Sequence, residues 1–123
     1  MDKRKRILII EDEKAMVEAV RLRLEANGYE VLTSGDGEEG LIKARAEKPD
    51  LIILDVMLPT MDGFKVCRML KFDDQYNEIP IVMFTARTQE SDLAEGKEVG
   101  VNAYVKKPFK SEELLKVISD LLP

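Results

Sequence analysis

Four short apolar runs in this chain each stop at a residue able to do chemistry. Ile7-Leu8-Ile9-Ile10 runs into Glu11-Asp12-Glu13, and Leu51-Ile52-Ile53-Leu54 stops at the single carboxylate Asp55. The run through Val82-Met83-Phe84 ends at Thr85, and the last leads into Lys106-Lys107-Pro108. A strand covered on both faces reads as unbroken apolar sequence, as in parallel sheets of α/β domains, and its last residue falls at the sheet edge where such folds bind ligands. Asp55 therefore reads as an acid held at a binding edge, or else as the residue opening the turn Val56-Met57-Leu58-Pro59. If the first and third strands are neighbours, Glu11, Asp12 and Asp55 converge. Carboxylates a few ångströms apart repel by up to ~4 kcal/mol per pair at an effective dielectric of 20. Either they hold on to protons or a cation sits among them. An all-oxygen set of carboxylates, a carbonyl and waters suits magnesium. A divalent ion beside a rigid aspartate, with a lysine and a hydroxyl opposite, meets the needs of phosphoryl transfer to a carboxylate.

The elements that must deliver these groups can be read in order. Ile7–Ile10 is a buried strand, and Ala15 to Asn27 a helix with Met16, Val17, Val20 and Leu24 inward, ended by Asn27-Gly28. Tyr29 to Thr33 is a shorter, more polar strand, as an edge strand would be. Gly37 to Glu47 is a helix carrying Leu41, Ile42, Ala44 and Ala46, stopped by Lys48-Pro49-Asp50. Leu51–Asp55 is the central strand, and Gly63 to Phe72 a helix with Phe64, Val66, Cys67, Met69 and Leu70. Ile79 to Phe84 is a strand with Pro80 near its start, where a missing donor matters least. Ser91 to Val99 is a weak helix interrupted by Gly96, Asn102 to Lys106 the last strand, and Glu112 to Leu122 the last helix, with Ser111 as its N-cap. Five strands alternating with five helices imply a doubly wound parallel sheet with right-handed crossovers.

Composition narrows the function classes. The 123 residues make one ordinary domain, 1–123, with 45% hydrophobic and 35% charged residues. The net charge of -5 disfavours general binding to nucleic acid or anionic membranes. Lys3-Arg4-Lys5-Arg6 is a solvated lead into the first strand, too short in apolar follow-up for a signal peptide, and no stretch reaches membrane-spanning length. One cysteine, Cys67, excludes an internal disulfide, fits a reducing, cytoplasmic setting, and sits among apolar helix residues as a packing group. The absence of histidine removes His-based acid–base catalysis, the common zinc sites and any phosphohistidine on this chain.

This ordered set resembles the response-regulator receiver domains of two-component signalling. The pieces are Ile9-Ile10-Glu11-Asp12-Glu13, Leu54-Asp55-Val56-Met57-Leu58-Pro59 through Met61-Asp62-Gly63, Phe84-Thr85-Ala86, and Tyr104-Val105-Lys106-Lys107-Pro108-Phe109. Each alone is weak; together, in order, they cover essentially the whole chain. The resemblance implies a flavodoxin-like three-layer sandwich, with five helices and five parallel strands in the order 2-1-3-4-5. It implies Asp55 as phospho-acceptor, with Asp12, Asp55 and the main-chain carbonyl of Met57 as ligands of Mg2+, for which Mn2+ can substitute, and Glu11 acting through a water. Thr85, Ala86 and Lys107 contact the phosphoryl group, Lys107 rather than Lys106 because it directly precedes the proline. Lys107-Pro108 is the cis candidate. Thr85 and Tyr104 form the switch, the aromatic ring moving inward as the hydroxyl turns to the phosphoryl group. The implied partners are a sensor histidine kinase or a phosphotransfer protein upstream and a protein target or output domain downstream. The resemblance also implies a chain that catalyses only its own phosphorylation and dephosphorylation.

Gly35-Asp36-Gly37-Glu38-Glu39-Gly40 fits a dinucleotide fingerprint, but its acids repel a pyrophosphate and it lies outside the first strand–helix turn. An acidic helix start is the simpler reading. Taken singly, Glu11 and Asp12 read as a capping cluster, Thr85 as a strand residue, Lys107 as a surface lysine and Tyr104 as a half-buried aromatic. Two features depart from the family pattern. Asn102-Ala103 and Lys116 replace the paired acids and the arginine usual in receivers fused to winged-helix DNA-binding domains, which weighs against a dimer of their kind. Met57 and Arg87 occupy the rim, where the first limits water and the second adds positive potential, so the acyl phosphate is expected to hydrolyse slowly. With the chain ending at Pro123 after its last helix, these departures tilt the expectation mildly from an excised domain toward a stand-alone protein. Two rivals fare worse. A haloacid-dehalogenase-type phosphatase wants a second acid where Met57 stands, and a flavodoxin-like FMN binder wants Ser, Thr and Gly where Glu11-Asp12-Glu13 stands.

Overall fold

A computed structural model describes residues 4–85, 94 and 97–122. Five parallel strands, β1 (Arg6–Ile10), β2 (Glu30–Ser34), β3 (Leu51–Asp55), β4 (Ile81–Thr85) and β5 (Ala103–Lys106), form one sheet in the order β2-β1-β3-β4-β5. Between them run helices α1 (Lys14–Ala26), α2 (Gly37–Glu47) and α3 (Gly63–Lys71), and a C-terminal helix, Ser111–Leu121, follows β5. The helix read over Ser91–Val99 falls mainly outside the described residues; Ala94 and Lys97 to Val99 are helical.

The apolar runs form strands because both faces of each are covered. Leu8, Ile10, Ile52, Leu54, Ile81 and Met83 face one way, onto Leu41 and Ala44 of α2 and Val66, Cys67 and Leu70 of α3. Ile7, Ile9, Leu51, Ile53, Val82, Phe84 and Val105 face the other, onto Val20 and Leu24 of α1 and Leu114 and Ile118 of the C-terminal helix. Each fully buried aliphatic side chain adds about 1.5–3 kcal/mol relative to exposure, so the two layers hold the sheet as a rigid frame. β2 is an edge strand, half-buried along most of its length.

Local signals set most helix ends. Asp36 caps α2 by accepting from the Glu39 N–H at 2.7 Å, and Asp62 caps α3 by accepting from Lys65 N–H at 3.0 Å. The glycine-rich Gly35–Gly40 stretch is thus an acid-capped helix start. Gly28 follows α1 at φ +90°, and Lys48 closes α2 in the left-handed region at φ 46°. Ile42 lies on the solvent face of α2, 61% exposed, because the inward stripe of that helix passes through Leu41 and Ala44. Two readings need correction. Ser111 is the first residue of its helix rather than the cap; Lys110 holds the cap position without a side-chain bond. β4 begins at Ile81 rather than Ile79, since the Ile81 N–H bonds the Asn102 side-chain oxygen at 2.8 Å and Asn102 N–H returns to Ile81 O at 2.9 Å. Asn102 therefore pins the entry of β4 to that of β5.

Candidate functional site: an acidic cluster with a lysine at the carboxyl edge

Register delivers the acids to one place. Ile10 pairs with Leu54, so the residues after β1 lie beside Asp55 at the end of β3. Carboxylate oxygens of Glu11, Asp12 and Asp55 all lie within 4.8 Å of one another. Glu11 and Asp55 are buried, 3% and 5% exposed, and Asp12 is open to solvent. Glu11 Oε2 accepts from the Glu13 N–H at 3.1 Å, and Asp55 Oδ1 from Met57 N–H at 3.4 Å, so each loop fixes its own carboxylate.

Lys107 enters from the far side of the sheet. Its ammonium donates to Glu11 Oε1 at 2.6 Å and stands 3.3 Å from Asp55 Oδ2. Burial opposes its charge, but the Glu11 hydrogen bond and the charges of Asp55 and Glu11 outweigh burial, so its pKa is raised. The stem is held by the Lys107 N–H bonding Thr85 O at 2.9 Å, and the Lys107–Pro108 bond is cis. Thr85, 1% exposed, ends β4 beside Asp55, since Phe84 is the register partner of Asp55. Tyr104 is half-buried on β5 opposite Met83 and packs against the α2–α3 side of the core.

The floor under Asp55 has no slack. Gly63 N–H bonds Val56 O at 2.8 Å, and a Cβ on Gly63 would lie 2.1 Å from the Asp55 carbonyl oxygen. The β3–α3 loop is tied to α2 as well. Gly37 N–H bonds Pro59 O at 3.0 Å, and Glu38 N–H bonds the Thr60 hydroxyl at 3.0 Å with Thr60 at φ 67°. Met57 sits on that loop at the mouth of the cleft, 63% exposed. Ala86 and Arg87 lie outside the described residues.

Two relationships are absent from the sequence reading. Glu11, expected to act through a water, makes a direct ion pair with Lys107. The Lys107 ammonium also lies 5.1 Å from the centroid of the Phe84 ring, and Phe109 packs edge-on to that ring at 4.7 Å and 62°. In sequence Phe84 is one more apolar strand residue; only the β4–β5 register brings it under the lysine.

The family model for the response regulator receiver domain matches residues 7–119. The chain belongs to that family. This receiver is 47% identical over 110 residues to the alkaline phosphatase synthesis transcriptional regulatory protein PhoP of Bacillus subtilis, covering 89% of this chain and 45% of the relative. It is 42% identical to the DNA-binding response regulator MtrA of Mycolicibacterium smegmatis, covering 91% of this chain and 48% of that one. The chain thus spans about half the length of the curated relatives it matches. Among solved structures, the chemotaxis response regulator CheY4 of Vibrio cholerae superposes with a TM-score of 0.91 at 36% identity, over 97% of this chain and 99% of that one. The receiver domain of the sensor histidine kinase PA1611 of Pseudomonas aeruginosa superposes with a TM-score of 0.89 at 28% identity, over 98% of both. That structure has a magnesium ion coordinated in its active-site cleft, and the structure of the response regulator Rcp1 is a Mn2+-bound form. Five parallel strands in the order 2-1-3-4-5 with flanking helices are the flavodoxin-like fold of these receivers, and a receiver is a phosphorylation-dependent switch.

The donor chemistry of the cleft fits a divalent ion. Among the described residues, three formal negative charges, on Glu11, Asp12 and Asp55, face the positive charge of Lys107. The donors of this acidic cluster are oxygens, the ligand type hard cations take. No described helix is long and apolar enough to cross a membrane.

Proposed function

We propose that this receiver accepts a phosphoryl group on Asp55 from the phosphohistidine of a sensor histidine kinase or phosphotransfer protein. What supports the reading is one observation: three strand-end carboxylates share a pocket with a lysine ammonium 2.6 Å from Glu11 and 3.3 Å from Asp55. Asp12, Asp55 and the Met57 carbonyl would hold Mg2+, or Mn2+ in its place, with Glu11 acting through a water. Bound there, the ion neutralises charge on the phosphoryl oxygens and orients them.

The residues of the chain divide the remaining work. A carboxylate oxygen of Asp55 attacks phosphorus; the P–N bond of the donor breaks, and its electron pair stays on the imidazole nitrogen, which takes up a proton. Burial of Asp55 at a rigid strand end keeps that oxygen desolvated and aimed. Lys107 moves its charge onto a phosphoryl oxygen, and Thr85 and Ala86 contact the others. Thr85, at the carboxyl end of β4, and Tyr104, on the neighbouring β5 opposite Met83, then change packing together, so the surface around β5 and its flanking helices reports the added charge to a protein partner or output domain. The only reactions the chain catalyses are its own phosphorylation and dephosphorylation, with Met57 and Arg87 slowing the second. Its net charge of -5 gives it no general attraction for nucleic acid or for anionic membranes. A cytoplasmic kinase domain is the fitting donor.

The test is acetyl phosphate with magnesium, read by intact mass. Wild type gains one phosphoryl group and Asp55→Ala gains none; equal labelling of both, or of neither, overturns the reading.

A further inference from the structure

We infer that Phe84 is a positioning residue for Lys107, its ring face retaining the ammonium at the site while the lysine changes partners. The inference rests on the roles proposed above for Asp55 and Lys107. Lysine carries a compact charge on a flexible four-carbon stem, so its position is set by its partners. Here both polar partners, Glu11 and Asp55, are groups that a bound cation and a phosphoryl group compete for. When those oxygens turn to a cation, the same cation repels the lysine.

The Phe84 ring stays available throughout. It is 1% exposed, built into β4 between β3 and β5, and its centroid is 5.1 Å from the Lys107 Nζ. The electron-rich face of an aromatic ring attracts a cation within about 6 Å without demanding one direction, so the ammonium can pivot from Glu11 toward an arriving phosphoryl oxygen without losing this contact. Phe109, edge-on to Phe84 at 4.7 Å, fixes the ring's orientation. An aliphatic residue in place of Phe84 would preserve the apolar floor and lose the attraction.

The experiment has two arms. In the metal-free protein, NMR of the Lys107 ε-methylene protons should show an upfield ring-current shift in wild type that disappears in Phe84→Leu. Ordinary exposed-lysine shifts in wild type would overturn the inference. In the second arm, Phe84→Leu should be phosphorylated by acetyl phosphate and magnesium about two- to tenfold more slowly than wild type. In a Lys107→Ala background the same substitution should change the residual rate little, because its effect runs through the lysine. Ile118→Val, which loosens the same face of the sheet away from the site, should leave the wild-type rate unaltered. Equal slowing by Phe84→Leu in both backgrounds, or slowing by Ile118→Val to the same extent, marks a purely structural role and overturns it. A wild-type chain that gains no phosphoryl group strikes the reading of Asp55 instead, and the proton shifts alone then decide the Lys107–Phe84 contact.

Discussion

The Lys107 ammonium stands 2.6 Å from Glu11 Oε1, closer than its 3.3 Å approach to Asp55. Among the described residues, this lysine is the countercharge paired with the cluster in the metal-free chain. Lys107→Met should therefore leave Glu11 and Asp55 buried without it, and lower metal-free stability by about 1–3 kcal/mol. Magnesium should recover much of that loss, because an ion that binds only the folded chain stabilises by mass action. Thermal melts with and without magnesium check it; a variant as stable as wild type in the absence of metal would remove Lys107 from this role.

Asp55→Asn should act in the opposite sense. It removes one of three crowded charges while leaving the shorter Glu11–Lys107 pair in place. Metal-free stability is expected to rise by up to about 1 kcal/mol, and the magnesium-induced rise in melting temperature to shrink. No change in either quantity would mean that the acids do not share an ion.

Cys67 gives a pH signature away from the site. Burial, only partly offset by the nearby charge of Lys71, pushes its thiol from 9.0 up to about 11. A group whose folded pKa is raised contributes stability that is fully present below its unfolded pKa and is lost as pH climbs through the folded one. Stability should thus fall between pH 9 and 11, by an amount on the order of 2–3 kcal/mol in all. Lys71, whose own pKa burial lowers, works in the reverse direction, its penalty fading as pH rises toward 10.5. Comparing urea unfolding of wild type and Cys67→Val across this range isolates the thiol; identical pH profiles would refute the assignment.

Gly63→Ala should damage fold and chemistry together. Its Cβ would fall 2.1 Å from the Asp55 carbonyl oxygen and 3.0 Å from Val56 Cα, a clash with backbone that no rotamer relieves. A loss of about 2–3 kcal/mol is expected, with slower phosphorylation because the strand end carrying Asp55 must shift. Gly28→Ala, with open space at its Cβ but φ +90°, should lose stability through backbone strain alone and be phosphorylated normally. Equal phosphorylation rates for the two variants would break the link between Gly63 and the site.

Much of this was legible in the chain. Unbroken apolar runs announced β1, β3 and β4 because both faces of each are covered, and the residues ending them are the ones brought together. The acidic start read in Gly35–Gly40 is the start of α2, while the caps themselves, Asp36 and Asp62, were not singled out although capping is local. What the sequence withheld depends on register or rotation. Neither spacing nor residue type says that Phe84 lies under Lys107, that Asn102 bonds across to Ile81, or that Ile42 turns outward while Leu41 turns in. The direct Glu11–Lys107 pair joins residues 96 apart, which no local pattern encodes.

The opposite rim of the sheet is fastened separately. Arg6 bonds Glu30 and Glu47 through its guanidinium and the Asp50 carboxylate through its main-chain N–H, so β1, β2, α2 and the start of β3 are buckled together far from the acids. Lys48, exposed beside that buckle, is consequently a handle: a cysteine placed there would react with a thiol-directed dye at neutral pH, while Cys67, sealed in the core, would not. A fluorophore on that handle could be watched while the receiver is exposed to a phosphoryl donor, without a reporter in the working cleft.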